Sequence, residues 1–210
     1  MGGNWKDICK TKNLLKYGYS HGVWLADLKG YTVSSGYEWL RKKEHKVGWA
    51  TLVWNPWCLP KHCFLNWLMF RSALPLKDRL LRHRVSLDDQ CCICCNSTES
   101  MLHLFQHCRY VSTILELISA KLHIPIPKGN AIIWIGRRHW SRGETVVCLF
   151  AFMAVYYNVW QQRNLARLEG LIAHPEYVVA QIFKVLQIRV RQCNNIFTSA
   201  NRVWLNSIGL

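Results

Sequence analysis

Four cysteines stand within five consecutive positions, Cys91, Cys92, Cys94 and Cys95, and His103, His107 and Cys108 follow within the next 13. Thiols packed this densely have three fates: disulfides, buried apolar groups or metal ligands. The stretch from Met1 to Lys16 carries Lys6, Asp7, Lys10, Lys12 and Lys16 without an apolar run, so it does not read as a secretory signal. A reducing compartment is therefore expected, and clustered cysteines there read as metal ligands. The spacing Cys91-x2-Cys94-x8-His103-x4-Cys108 suits one Zn2+ ion. A C-x2-C pair can turn two thiolates onto the same ion, and a second pair from a neighbouring element completes a tetrahedron. Four protein ligands leave no open position for water or substrate, so the expected role is structural.

The residues alone leave the ligand register open. Cys92-x2-Cys95 offers an equivalent pair one position along, and His107 rivals Cys108. On a continuous helix His103 and His107 share a face, whereas His103 and Cys108 differ by about 140°. Cys108 can serve only if the backbone before it is irregular or the helix starts late.

Lys and Arg number 27 against 12 Asp and Glu, a formal charge of +15. An excess of that size favours an anionic partner, of which nucleic acid, RNA or DNA, is the commonest. It argues against a site built from many carboxylates. Half of the residues are hydrophobic and 11 are Trp, which excludes a disordered chain. The most apolar run, Thr145 to Trp160, is shorter than the roughly 20 residues of a membrane span and contains Asn158. It reads as a helix buried on most sides, and no membrane partner is expected.

Three zones follow one another. In residues 1–48 a polar lead precedes two short β-prone runs, Val23 to Leu28 and Tyr31 to Ser34, which flank Lys29-Gly30 and predict a small hairpin; Ser35 then caps a helix. In residues 49–123, Trp49, Leu52 and Val53 have helical spacing, Cys63 to Ala73 reads as a buried helix, and Leu74-Pro75 restarts a short amphipathic one. Beyond the cysteines a helix is expected over His103 to Leu122. Pro125, Pro127 and Gly129 mark a linker. Two helices follow, from about Glu144 to Leu168 and from about Pro175 to Phe197. The fold class expected is mainly α, with an N-terminal β-hairpin, helices around a CCHC zinc knuckle and a C-terminal helical pair. Residues 124–210 are the most basic zone, 10 Lys and Arg against 3 acids.

Several short stretches together resemble the reverse-transcriptase zinc-binding domain of plant non-LTR, LINE-type retrotransposon proteins. Gly30 to Tyr37 is similar to that family's opening G-f-s-v-x-x-a-Y, and Trp49 to Trp54 to its W-x3-[IV]-W. Leu59 to Trp67 is similar to P-P-K-x3-F-x-W with the aromatic shifted by one, and Leu74 to Leu80 to L-P-T-x-D-x-L. Cys91-x2-Cys94 and Glu99-x3-His103-Leu104-Phe105-x2-Cys108 complete the likeness. Cys92 stands where Pro is usual, Cys95 where Gly is usual and Leu76 where Thr is usual. The resemblance selects Cys91, Cys94, His103 and Cys108 as the metal ligands. It divides the chain into a lead (1–23), a reverse-transcriptase zinc-binding-like domain (24–123) and a basic helical extension (124–210). Farther on, Tyr157-x2-Trp160-x2-Arg163-Asn164 looks like a Y-x2-W-x2-R-N found downstream in the same proteins. That pair, Arg163-Asn164, either ties down helix packing or contacts a ligand.

Nothing points to catalysis. Leu87-Asp88-Asp89 contains the Asp pair of polymerases without the aromatic two residues before it, and reads as a polar loop. No phosphate-binding Gly-rich loop, nucleophile elbow or H-E-x2-H occurs. The expected function is a non-catalytic, zinc- and nucleic-acid-binding module from the C-terminal part of a LINE-type reverse transcriptase. It would act in nucleus or cytoplasm, with the nucleus favoured. The contacts favoured are Arg79, Arg82 and Arg84 before the knuckle and Arg109 after it. Arg137, Arg138 and Arg142 also qualify as phosphate contacts, with Trp140 and Tyr110 placed to stack on unpaired bases. Most Trp, including Trp49, Trp54, Trp67 and Trp160, are expected in the core. The alternatives are a protein-interaction scaffold whose zinc only stabilises the fold, and a retroelement fragment without selected function.

Overall fold

The computed structural model describes residues 13, 16, 32–40, 47–127, 129–192 and 196–210. The chain divides into two compact units, Met1–Lys46 and Val47–Leu210.

In the first unit the described element is helix α1, Val33–Leu40. Thr32 and Ser35 cap it reciprocally: the Ser35 N–H donates to Thr32 Oγ1 at 3.1 Å and the Thr32 N–H to Ser35 Oγ at 3.0 Å. This corrects the expected β-hairpin. Val33 and Ser34, assigned to its second strand, form the first turn of a helix, because the side-chain caps satisfy the N–H groups a strand partner would otherwise take. Residues 23–31, the rest of that hairpin, lie outside the described residues. Among the described residues there is no strand; Gln90 and Thr98 form an isolated antiparallel bridge.

The second unit contains α2 (Ala50–Val53), α3 (Pro60–Phe70), α4 (Lys77–Arg82), a π-helical turn (His103–His107), α5 (Arg109–Lys121), α6 (Ala131–Gly136), α7 (Arg142–Glu169), α8 (Pro175–Gln192) and α9 (Ser199–Ser207). Helix α7 is the axis, with α3, α5, α6 and α8 packed around it. A capping box between Ser141 and Glu144 starts it, and Gly170 ends it at φ +69°, a left-handed cap that favours glycine. Every residue from Val146 to Tyr156 is buried, so all sides of these three turns meet protein. The helix is long and apolar enough to cross a membrane by composition, but 67% of its apolar window is buried inside the protein.

The neighbours explain that burial. Helix α8 presents Val179, Ile182, Phe183, Leu186 and Val190 as one stripe at the expected spacing. From α3, Asn66 donates to the carbonyl of His62 at 2.8 Å and to that of Met153 on α7 at 3.2 Å. The Tyr156 hydroxyl accepts from the Ala131 N–H at 2.9 Å and seats the start of α6.

Three details differ from expectation. The last helical pattern is divided: α8 is described to Gln192, and a separate α9 follows Thr198, whose hydroxyl and Asn201 form a second capping box. Helix α4 buries none of its own residues; Leu74 and Leu76 just before it fill the core. Trp54 is 52% exposed, because α2 lasts a single turn and the chain leaves the core at Trp54.

Candidate metal centre

The knuckle begins where the chain doubles back. The Gln90–Thr98 bridge brings two short segments side by side, and the Cys91 N–H donates to Ser97 O at 2.8 Å. The Cys95 N–H closes the turn on Cys91 O at 2.9 Å. Cys95 has φ +51°, in the left-handed region. Glycine would adopt that backbone without the steric cost that Cys95 bears.

The second half of the centre comes from the π-helical turn. Its start is fixed by Ser100, whose hydroxyl accepts from the His103 N–H at 3.1 Å. The Cys108 N–H donates to His103 O, five residues back, at 2.7 Å. Closing the ring over five residues instead of four brings His103 and Cys108 to the same side of the turn. Cys108 itself is extended (φ −65°, ψ 126°), so α5 starts only after it. Both conditions for Cys108 to replace His107 are therefore met: the backbone is irregular and the helix starts late. Leu104 and Phe105 point inward from the same turn, and Phe105 packs edge-on against Tyr156 of α7 at 5.6 Å.

The structure brings Cys91, Cys94, His103 and Cys108 together, with one ligand atom of each within 4.8 Å of all the others. His103 Nε2 lies 3.2 Å from Cys94 Sγ. A tetrahedron on zinc–sulfur bonds of about 2.3 Å has edges of about 3.8 Å. Small side-chain rotations would close the four atoms on one ion. Their chemistry fits as well. Three thiols and one imidazole are a donor set that Zn2+ takes in structural sites. Burial and the charge of His107 lower His103, which favours the neutral imidazole that a metal needs. The cluster fits a single structural zinc. Cys92 lies under the electrostatic influence of Glu99 and Lys77, and Cys95 is exposed.

The surroundings tie this centre to the core. Glu99 and Arg163 are both buried, and Glu99 Oε1 accepts from Arg163 Nη2 at 2.6 Å and from Nε at 3.0 Å. The same oxygen accepts from the Lys77 N–H at 2.9 Å, and Arg163 Nη2 also donates to Pro75 O at 3.1 Å. Arg163 thus ties down packing, the structural alternative for that motif. Glu99 was legible only as part of E-x3-H, because its partner is 64 residues away.

The four arginines favoured as nucleic-acid contacts fall in different settings. Arg79 donates to Ser72 O, and Arg82 Nε to Asp78 O at 3.2 Å, so both also brace α4. Arg84 is exposed with φ +57°. Arg109 borders a hollow of about 310 Å³ shared with Cys94, Cys95, Asn96, Ser97, His103 and His107. The other three arginines do not line that hollow.

Residues 31–114 match the family model for zinc-binding in reverse transcriptase. No curated protein and no solved structure matches the chain. The matched span holds all four converging ligands, which supports reading it as a reverse-transcriptase zinc-binding domain with one structural zinc.

Proposed function

We propose that this chain is a non-catalytic nucleic-acid-binding module stapled by its zinc, of the kind carried in the C-terminal part of plant LINE-type reverse transcriptases, and that it works in the nucleus. The observation that carries this reading is the closed Cys3His cluster, whose hollow is bordered by the exposed Arg109 in a chain of net charge +15. Four protein ligands leave no site for hydrolysis, so binding without cleavage is the consistent activity. Phosphates that meet Arg79, Arg82, Arg84 and Arg109 release counterions, so affinity falls steeply as salt rises.

The test is a titration of the zinc-loaded protein against single- and double-stranded RNA and DNA at several salt concentrations. Replacing the four arginines with Ala is expected to flatten the salt slope with zinc retained. No binding by the wild type at low salt, or unchanged affinity in the variant, favours a protein-interaction module instead.

A further inference from the structure

The corner between α6 and α7 carries a second cationic group, remote in sequence from the zinc ligands. Trp134 and Trp140 meet edge to face with ring centroids 5.4 Å apart. The Arg138 guanidinium lies over both rings, 4.8 Å from the Trp134 centroid and 5.1 Å from that of Trp140. Arg137, Arg138, His139 and Arg142 are all exposed. None of these three arginine side chains enters an ion pair among the described residues. Glu144, the nearest acid in sequence, is committed to the capping box, accepting from the Ser141 N–H at 2.9 Å.

Two physical points separate this corner from an ordinary solvated face. Arg142 is the first residue of a 28-residue helix, where the positive end of the helix dipole disfavours a cation. The fold gains nothing from a positive charge there, whereas an external anion would. Arg138 is held by aromatic faces rather than by an acid. Stacking restrains the side chain and leaves the N–H edge of the guanidinium available to two oxygens of a phosphate. Ordering a free arginine costs side-chain entropy on binding, and this one is already restrained.

We infer that the α6–α7 corner is a second nucleic-acid contact, in which Arg137, Arg138 and Arg142 hold successive phosphates of the backbone while Trp134 and Trp140 position Arg138 instead of stacking on bases. This rests on the nucleic-acid reading above and adds a site and a mode to it. The mode is sequence-independent, since phosphates carry no base information.

The experiment measures binding of the zinc-loaded full chain to a short labelled DNA duplex and to one of its strands across a salt series. The variants are Arg137→Gln/Arg138→Gln/Arg142→Gln together, and Trp140→Leu alone. Zinc content and thermal unfolding establish that each is folded. Three lost phosphate contacts are expected to lower the log–log salt slope by about 2.7 on duplex and about 2.1 on single strand. Trp140→Leu is expected to weaken both ligands alike, because it frees Arg138. Loss confined to the single strand with an unchanged slope would mean that Trp140 stacks on bases, and would overturn the proposed mode. Wild-type affinity and slope in the triple variant would overturn the site while leaving the function reading intact. Failure of the wild type to bind at low salt would overturn both.

Discussion

Glu99 and Arg163, 64 residues apart, form an ion pair 2.6 Å long in which neither side chain is more than 1% exposed. One residue belongs to the knuckle segment and the other to the central helix. Trp160 covers the guanidinium from one side, 4.9 Å from ring centroid to guanidinium carbon. The family match ends at residue 114, so the zinc-binding segment is anchored by a helix outside the matched span.

Removing one partner leaves an uncompensated buried charge. Glu99→Leu or Arg163→Met should each destabilise the zinc-loaded protein by about 3–5 kcal/mol. The double replacement Glu99→Leu/Arg163→Met should recover much of that loss, because no charge is then stranded. Denaturant midpoints of the four proteins decide this; additive losses in the double variant would contradict it.

The metal should distinguish the two cysteine registers. Cys91→Ser is expected to lose the single zinc and unfold the knuckle, since ligand binding and local folding are coupled. Cys92→Ser and Cys95→Ser should each keep one zinc per chain. Metal content by mass spectrometry reads the result, and loss with Cys92→Ser but not with Cys91→Ser would shift the register by one.

His62 gives stability a pH dependence of its own. Buried between Phe150 and Tyr157, with ring centroids at 5.7 and 4.8 Å, it is lowered to about 4 by burial and by the charge of Lys61. The folded state thus holds the neutral ring, while the unfolded chain takes up a proton near the ordinary value of about 6.5. Stability from this group is complete above about pH 6.5 and is lost as pH falls towards 4, by up to about 3 kcal/mol. His62→Gln should flatten the difference in unfolding free energy between pH 7 and pH 5. Equal pH slopes in the two proteins would contradict this, and because both keep the zinc ligands, metal release does not confound the comparison.

Gly143 should resist the usual glycine-to-alanine gain in a helix. A Cβ there would lie 2.6 Å from Asn201 Oδ1 and 3.0 Å from Phe197 Cδ1. Asn201 donates to Ser141 Oγ at 2.7 Å and caps α9 with Thr198, so it cannot retreat without loosening that cap. Propensity alone favours Ala by about 1 kcal/mol. The close contact should reverse the sign, making Gly143→Ala destabilising by about 1–3 kcal/mol. A raised melting temperature would refute it.

Local chemistry was readable along the chain. Spacing together with the expected reducing compartment marked a metal-binding cluster, because a C-x2-C turn can bring two thiolates onto one ion. Continuous apolar composition identified α7 as a buried helix, and the 3.6-residue stripe of α8 was legible from Val179 to Val190. Helix starts were less so: the Thr32–Ser35 and Thr198–Asn201 caps are short polar pairs whose hydrogen bonds exist only once the backbone turns. Tertiary structure decided the rest. Helix periodicity favours His107 as the fourth ligand, and only the π-helical turn, packed through Leu104 and Phe105 against the core, brings Cys108 round in its place. Likewise nothing local links Glu99 to Arg163. A buried charge needs its counter-charge in space rather than in sequence, so that pairing appears only when α7 lies against the knuckle.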